Sequence, residues 1–442
     1  MTRTLQDKID ASPSVRDMLR NAPTGFYQFP VPSEHTNWRD EQLAWGKTAV
    51  LFDQSYHMTD LNISGPDTKR LLAETSINNY DDFTPPKAFQ YVAVAANGKI
   101  IGDAIGFLYQ DGSVTIVGKP TVASYLMWRA EEGKYDVTLR NDIRVVEGNN
   151  QRANFRLQVQ GPNANSILEK VNGGPLPETR FFGMCEFTIA GRKVTGLRHG
   201  MAGAPGMEFW GPYADKPAVV EALMKAGEEY GLKRGGFRTY STSGPQSGWV
   251  GAVVPAVYTG DDMAGFRKWL PATSYEATAS LGGSLLSDDM DDYYLDPWDV
   301  GYHRIIHWDH DFHGKDGLLA RKDAPHRRKV WLKWHPDDVL RIVKSQMGGG
   351  ERYKFLEWPM AGYASLPYDE VHTSDGKPAG LSVYGCYTVH AGWFSIGILD
   401  ESAKLGDEVV ITWGEPDETR KPTVEPHAQT TIRATVTKTA LG

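Results

Sequence analysis

Two stretches of this chain alternate apolar and polar residues, break at Gly-Pro, and resume with helical spacing: "LNISGPDTKRLL" from Leu61 and "LQVQGPNANSIL" from Leu157. Each reads as a strand, a turn and a helix. Pro66 and Pro162 fall near the first helical turn, where a missing N–H costs nothing. The matched apolar positions predict a duplicated strand-to-helix unit. Between the two units, "QYVAVA", "AIGFLY" and "SVTIVG" are short strand candidates joined by turns at "ANGK" and "QDGS", a sheet meander. After the second unit, "FTIAGRKVTGL" reads as a hairpin with a Gly-containing turn. "DKPAVVEALMKAGEEYGL" reads as a helix with Val219, Val220, Leu223 and Met224 at helical spacing. From "RRKVWLKW" onward the apolar runs ("GLSVYG", "WFSIGIL", "EVVITWG", "TIRATVT") are short and separated by turns. The pattern predicts a mixed α+β chain with a boundary near residue 325. A region over 1–325 holds two subdomains, and 326–442 forms a small β-barrel or sandwich.

At 442 residues the chain is too long for one ordinary core, in keeping with this division. The formal net charge of -8, the acidic run "SDDMDDYYLD" and the lack of a Lys/Arg block argue against nucleic acid. A small acidic ligand stays compatible, since one buried cation suffices. The first twenty residues lack the apolar centre of a signal peptide, and no stretch approaches the ~18 apolar residues of a membrane span. A cytoplasmic protein without a membrane partner is expected. Cys185 and Cys386 are far apart with no C-x-x-C pair, and read as ordinary thiols.

The segment "RHGMAGAPGMEFWG" spaces Gly200, Gly203 and Gly206 by three, which matches neither the dinucleotide fingerprint nor the phosphate loop. A strand follows it, so no helix N-terminus is offered to phosphate. What the loop presents is the carboxylate of Glu208. The run "HWDHDFH", from His307 to His313, invites a metal reading but lacks H-E-x-x-H or paired-cysteine spacing, so no metal is expected.

The pieces "VLFDQSYHM", "NISGPDTKRLL", "QYVAVAANGKIIGDAI", "VQGPNA", "GAPGMEFWGP" and "DFHGKDGLL", in this order, resemble the aminomethyltransferase family, the folate-binding T-protein of glycine cleavage and its relatives. "NWRDEQLAW", "LRHGMAGAPG", "SGWV", "YTGD" and "TVEPH" are similar to the tetrahydrofolate-dependent aryl methyl ether O-demethylases of that family. The resemblance implies a folate-binding core of duplicated strand-helix units with a C-terminal β-barrel. It implies tetrahydrofolate as cofactor and a methoxylated aromatic small molecule as substrate, vanillate- or syringate-like or a 2-methoxybenzoate such as dicamba.

By the same resemblance Glu208 accepts hydrogen bonds from the pterin, whose adjacent N–H donors suit a carboxylate. Asp103 is the second folate carboxylate, and Gly102 stands where the T-protein has a further aspartate. Tyr91, Val117, Gln160 and Trp249 line the folate site. Tyr27, Phe29, Gln54, His57, Lys119 and Trp249 face the substrate, Lys119 as the cation for a ring carboxylate. Catalysis falls to Asp103 and to Tyr240, in "FRTYSTSGPQSGW", as proton donor to the departing phenolate, whose pKa a tyrosine matches. Two rivals share these landmarks: an aminomethyltransferase or N-demethylase acting on a small amine such as dimethylglycine, and a folate-binding module without turnover.

Overall fold

The computed structural model describes residues 3–145, 152–200, 203–416 and 421–441. The first Gly-Pro unit becomes the strand Thr59–Ser64 and the helix Thr68–Thr75, the second the strand Asn154–Gln160 and the helix Ala164–Asn172. The turn between strand and helix needs glycine in both. Gly65 and Gly161 have φ of 126° and 131°, and an added Cβ would lie 2.6 Å from a backbone oxygen in each case, of Asp136 and Thr48 respectively. This equivalence of local geometry supports the duplication read from the sequence.

Each unit seeds one sheet. In chain order the strands are β1 (Ala49–Asp53), β2 (Thr59–Ser64), β3 (Lys87–Val94), β4 (Ile100–Leu108), β5 (Val114–Gly118), β6 (Thr138–Asp142), β7 (Asn154–Gln160), β8 (Met184–Ile189), β9 (Arg192–Leu197), β10 (Gly206–Pro212) and β11 (Leu232–Gly235). The first sheet has the order β3-β4-β5-β2-β6 and the second β8-β9-β10-β7-β1-β11. The second order repeats the first with β1 inserted between β7 and β11.

Alternation along these strands divides each sheet into two faces. The outer face of the first, with Leu61, Ile63, Tyr91 and Ala104, packs under the helices Thr68–Thr75 and Pro120–Glu132. That of the second, with Phe155, Leu157, Val159, Met207 and Phe209, packs under Ala164–Asn172 and Lys216–Gly227. The inner faces look toward each other. Ala88, Phe107 and Val117 of the first sheet form one buried cluster with Leu197 and Trp210 of the second.

The remaining strands are β12 (Leu281–Gly282), β13 (Arg328–Trp334), β14 (Leu366–Thr373), β15 (Pro378–Thr388), β16 (Gly392–Leu399), β17 (Glu408–Trp413) and β18 (Thr430–Thr437). The order β14-β15-β16-β13-β18-β17 closes through a β14–β17 pairing, so the tail is a closed six-stranded barrel, with β12 added at β14. The barrel begins at Arg328. It also joins the main core, to which Leu366, Tyr368, Leu381 and Ile396 contribute. Among the described residues no helix is long and apolar enough to cross a membrane.

Candidate functional site

The sequence "FRLQVQ" at 155–160 explains why charge collects between the sheets. Its apolar residues Phe155, Leu157 and Val159 go to the outer face, so Arg156, Gln158 and Gln160 go inward. Register then pairs Arg156 with Trp210, Gln158 with Glu208 and Gln160 with Gly206. In the first sheet the inner face carries Asp60, opposite Val117 and Asp142.

Arg156 donates to Glu208 Oε1 at 2.7 Å and lies 3.5 Å from Asp60; Arg152 binds Asp60 at 3.0 Å and Asp142 at 3.3 Å. The two arginines thus tie the sheets together through three carboxylates. The Arg156 guanidinium is also stacked near Trp210, at 4.7 Å, and Phe107, at 5.2 Å. Glu208 is buried, and among the described residues its Oε2 takes no hydrogen bond. A buried carboxylate oxygen left open beside an apolar wall suits paired N–H donors on a flat ring. In the glycine loop before it, Met201 and Ala202 lie outside the described residues.

Tyr240 reaches this space from the helix Phe237–Ser247. The helix is rich in Ser and Thr and contains Pro245, all poor helix formers. Tertiary contacts hold it. Buried Glu41 accepts from Gly236 N and Thr239 Oγ1 at its start, Trp331 Nε1 of the barrel donates to the Pro245 carbonyl, and Gln42 donates to Thr242 Oγ1. The Tyr240 ring packs edge-on against Phe52 and Phe29, and its hydroxyl lies 3.0 Å from His57 Nε2. Gln54 donates to Gln158 Oε1 at 2.7 Å and also hydrogen-bonds Tyr240, which joins the phenol to the Glu208 face.

Burial, reinforced by the Glu208 charge, pushes the Tyr240 phenol far above its ordinary range, so it stays protonated. His57 goes the other way. Desolvation, then the nearby guanidiniums of Arg156, Arg152 and Arg144, lower it from 6.5 to about 3, so the ring is neutral. A neutral imidazole and a neutral phenol form a donor–acceptor pair that carries no net charge into the cavity.

Asp103 is at the other end of the inner face, four residues beyond Phe107 on β4, about 13 Å along the strand. One of its oxygens accepts from Tyr302 (2.8 Å), Gln90 (3.0 Å) and the Trp249 indole (3.2 Å). Trp249 is nearly half exposed, so it forms part of the rim and not of a core. Tyr27 and Phe29 have ring centres 6.1 Å apart, and Phe29 continues to His57 at 4.8 Å. Val117 lies in the apolar cluster of the inner faces, and Gln160 is buried at the end of β7 beside Gly206.

Of the expected residues, Tyr91 is placed elsewhere. Tyr91 is one position off the inner face: fully buried under the helices, it donates to the carbonyl and hydroxyl of Thr75. Its neighbour Gln90 is the one that faces inward. Lys119 caps the helix Pro120–Glu132 by position, and its ammonium donates to the Gly251 carbonyl. A side chain at Gly102 would meet Val122 of that helix, so the T-protein's additional carboxylate has no room here.

The histidines of "HWDHDFH" go to three separate partners: His307 accepts from Asn79 N, His310 meets the Ser76 carbonyl, and His313 binds Asp262. Among the described residues no group of three or more His, Cys, Asp or Glu side chains could hold a metal ion. Both cysteines are free thiols, and burial raises each above its ordinary range.

Sequence reading missed Arg156, Arg152 and Asp60. The period-two polar stripe of "FRLQVQ" was the available signal.

The paired sheets and appended barrel have counterparts. A profile of the GCVT N-terminal domain matches residues 21–244. The chain belongs to this aminomethyltransferase family. Syringate O-demethylase of Sphingobium sp. is 43% identical over 441 residues, covering 99% of this chain and 95% of its own. Sesamin methylene transferase of Sinomonas sp. is 29% identical, with 88% of each covered. An aminomethyltransferase of Thermoanaerobacter pseudethanolicus is 25% identical over 69% of this chain and 72% of its own. The crystal structure of the glycine cleavage aminomethyltransferase T of Bartonella henselae superposes with a TM-score of 0.62 at 16% identity, over 95% of both chains. That last likeness fixes the fold alone.

Proposed function

We propose that this enzyme is a tetrahydrofolate-dependent O-demethylase, which moves the methyl group of a methoxylated aromatic acid to tetrahydrofolate and releases a phenol. The observation that carries this reading is the neutral Tyr240–His57 pair, 3.0 Å apart, set among aromatic rings and joined through Gln54 to Gln158, the residue opposite Glu208. The 43% identity with a syringate O-demethylase over nearly the whole chain supports it.

Tetrahydrofolate, when bound, supplies the nitrogen nucleophile that accepts the methyl group. Glu208 Oε2 is suited to the pterin N–H donors, while Arg156 on Oε1 fixes the carboxylate in rotation. Asp103, held by three donors, is a rigid acceptor on the facing sheet. Phe29 and Tyr27 offer flat walls for the substrate ring.

An aryl ether leaves as a phenolate, so charge grows on its oxygen in the transition state and a positioned donor lowers the barrier. For Tyr240 to aim its proton there, neutral His57 must carry its own proton on Nε2 and donate it to the Tyr240 oxygen. The burial that raises the Tyr240 phenol also raises a phenol bound beside it, so desolvation moves both in the same direction.

The rival substrate is a small amine. Incubating the enzyme with tetrahydrofolate and either syringate or dimethylglycine separates the two readings. Methyltetrahydrofolate and a free phenol formed from syringate are expected, while loss of a methyl group from dimethylglycine with no turnover of syringate contradicts the proposal. Tight folate binding without turnover of either would leave a binding module.

A further inference from the structure

Asp103 is gripped by a turn 199 positions further along the chain. In "LDPWDVGYH" the signals of a short capped helix are all local: Asp296 is the N-cap, Pro297 opens the helix and Gly301, at φ 88°, closes it. The Asp296 carboxylate accepts from Trp298 N and Asp299 N, and that of Asp299 accepts from Asp296 N. Tyr302 follows the closing glycine, and its N–H donates to the Pro297 carbonyl at 2.7 Å. Neighbouring elements anchor the same turn. Arg327 makes a two-pronged contact with Asp299 at 2.7 and 3.0 Å, Arg321 binds Asp296 at 2.8 Å, and Lys329 of β13 donates to the Val300 carbonyl. The backbone that carries Tyr302 is therefore fixed from within and from outside.

The Tyr302 phenol donates to Asp103 Oδ2 at 2.8 Å, the shortest of the three contacts on that oxygen. The Trp249 indole, at 3.2 Å on a nearly half-exposed ring, meets competition from water, and Gln90 donates through a longer and more flexible side chain. Burial, then the Asp103 charge, raise the Tyr302 phenol well above its ordinary range, so it remains a donor. Among the described residues no hydrogen bond reaches Asp103 Oδ1. Rotation of the carboxyl group would break all three bonds on Oδ2 at once.

We propose that Tyr302 is a positioning residue for tetrahydrofolate, holding Asp103 by Oδ2 so that Oδ1 is kept for an N–H of the cofactor. This rests on the reading of Asp103 as a folate carboxylate. Tyr302 acts through Asp103 and touches neither cofactor nor substrate. An acceptor already held in one orientation loses less freedom when its ligand docks, so the contribution falls on cofactor affinity. The Tyr240–His57 pair shares none of these contacts, so binding of the aromatic acid should not depend on Tyr302.

The test is a double-mutant cycle on the full chain, read as equilibrium binding of tetrahydrofolate by quenching of tryptophan fluorescence. Tyr302→Phe deletes one hydroxyl and keeps the ring. It should weaken folate binding roughly 5- to 20-fold, the loss typical of a bond to a charged acceptor. In steady-state kinetics KM for tetrahydrofolate should rise by a similar factor while KM for syringate stays the same. In an Asp103→Ala background the same substitution should change folate affinity less than about twofold, because the group it acts through is gone. Equal losses in both backgrounds, or an equal rise in KM for syringate, would make Tyr302 a general structural residue and overturn the proposal. If Asp103→Ala weakens folate binding and Tyr302→Phe does not, the Tyr302 assignment alone has failed. If Asp103→Ala binds folate normally, the reading of Asp103 has failed and Tyr302 falls with it. Should the phenylalanine variant not fold, Tyr302→His takes its place in the same cycle, judged by the same outcomes.

Discussion

His57 shows how much of this site is set by neighbours that no local motif contains. Its pKa falls to about 3 because the ring is desolvated and three guanidiniums face it. The sign of the consequence follows from linkage. In the unfolded chain the histidine takes up a proton near pH 6.5, whereas the folded chain resists until about pH 3. Stability that is intact above the unfolded value is therefore lost as pH falls through the window between the two. Unfolding midpoints measured from neutral pH down to pH ~4 should drop more steeply for the unmodified chain than for His57→Gln. Parallel curves would show that His57 is not held neutral. At the same scale, Tyr240, Glu208 and Asp103 were legible only through their resemblance to a family. Nothing in "FRTYSTSGPQSGW" distinguishes Tyr240 from a packing residue, because the partners that define it, His57 and Gln54, come from a loop almost two hundred positions earlier.

The strand-to-helix unit is the element the sequence expressed most fully, since its glycine, proline and apolar spacing are all local requirements. Gly161 sits at φ 131° with the Thr48 carbonyl 2.6 Å from where a Cβ would stand. Gly161→Ala should lower stability by about 1 to 3 kcal/mol through backbone strain, read as a lower thermal midpoint, and Gly65→Ala should do the same. An unchanged midpoint in both would remove the turn as a constraint. Strand faces were less legible. In β7 the polar stripe Arg156, Gln158, Gln160 announces which side looks inward. In "FQYVAV" both sides are apolar, so alternation does not say that Tyr91 faces the helices and Gln90 the cavity. The Phe237–Ser247 helix was not evident at all, because its Ser, Thr, Gly and Pro argue against a helix. Its stability comes from Glu41, Gln42 and the barrel.

Across the whole molecule, two similar sheets face each other and the barrel wedges the Tyr240 helix against one of them. The carboxylates and arginines between the sheets bind the halves, and Glu208 among them is the group we propose for the pterin. Removing one member should leave uncompensated buried charge. Arg156→Ala is expected to cost roughly 3 to 5 kcal/mol in denaturant unfolding, well beyond a surface substitution. A loss no larger than that of an exposed arginine would mean that the sheets are joined by apolar contact alone. The arrangement brings a ligand carboxylate and a phenolic donor into one cavity, and methyl transfer needs both at once. The most direct measurement is single-turnover formation of methyltetrahydrofolate from syringate by the unmodified chain and by Tyr240→Phe, with folate affinity measured in parallel. Turnover should fall roughly 10²- to 10⁴-fold in the phenylalanine variant while folate affinity and thermal midpoint stay the same. Near-normal turnover by Tyr240→Phe would contradict the assignment of the proton donor.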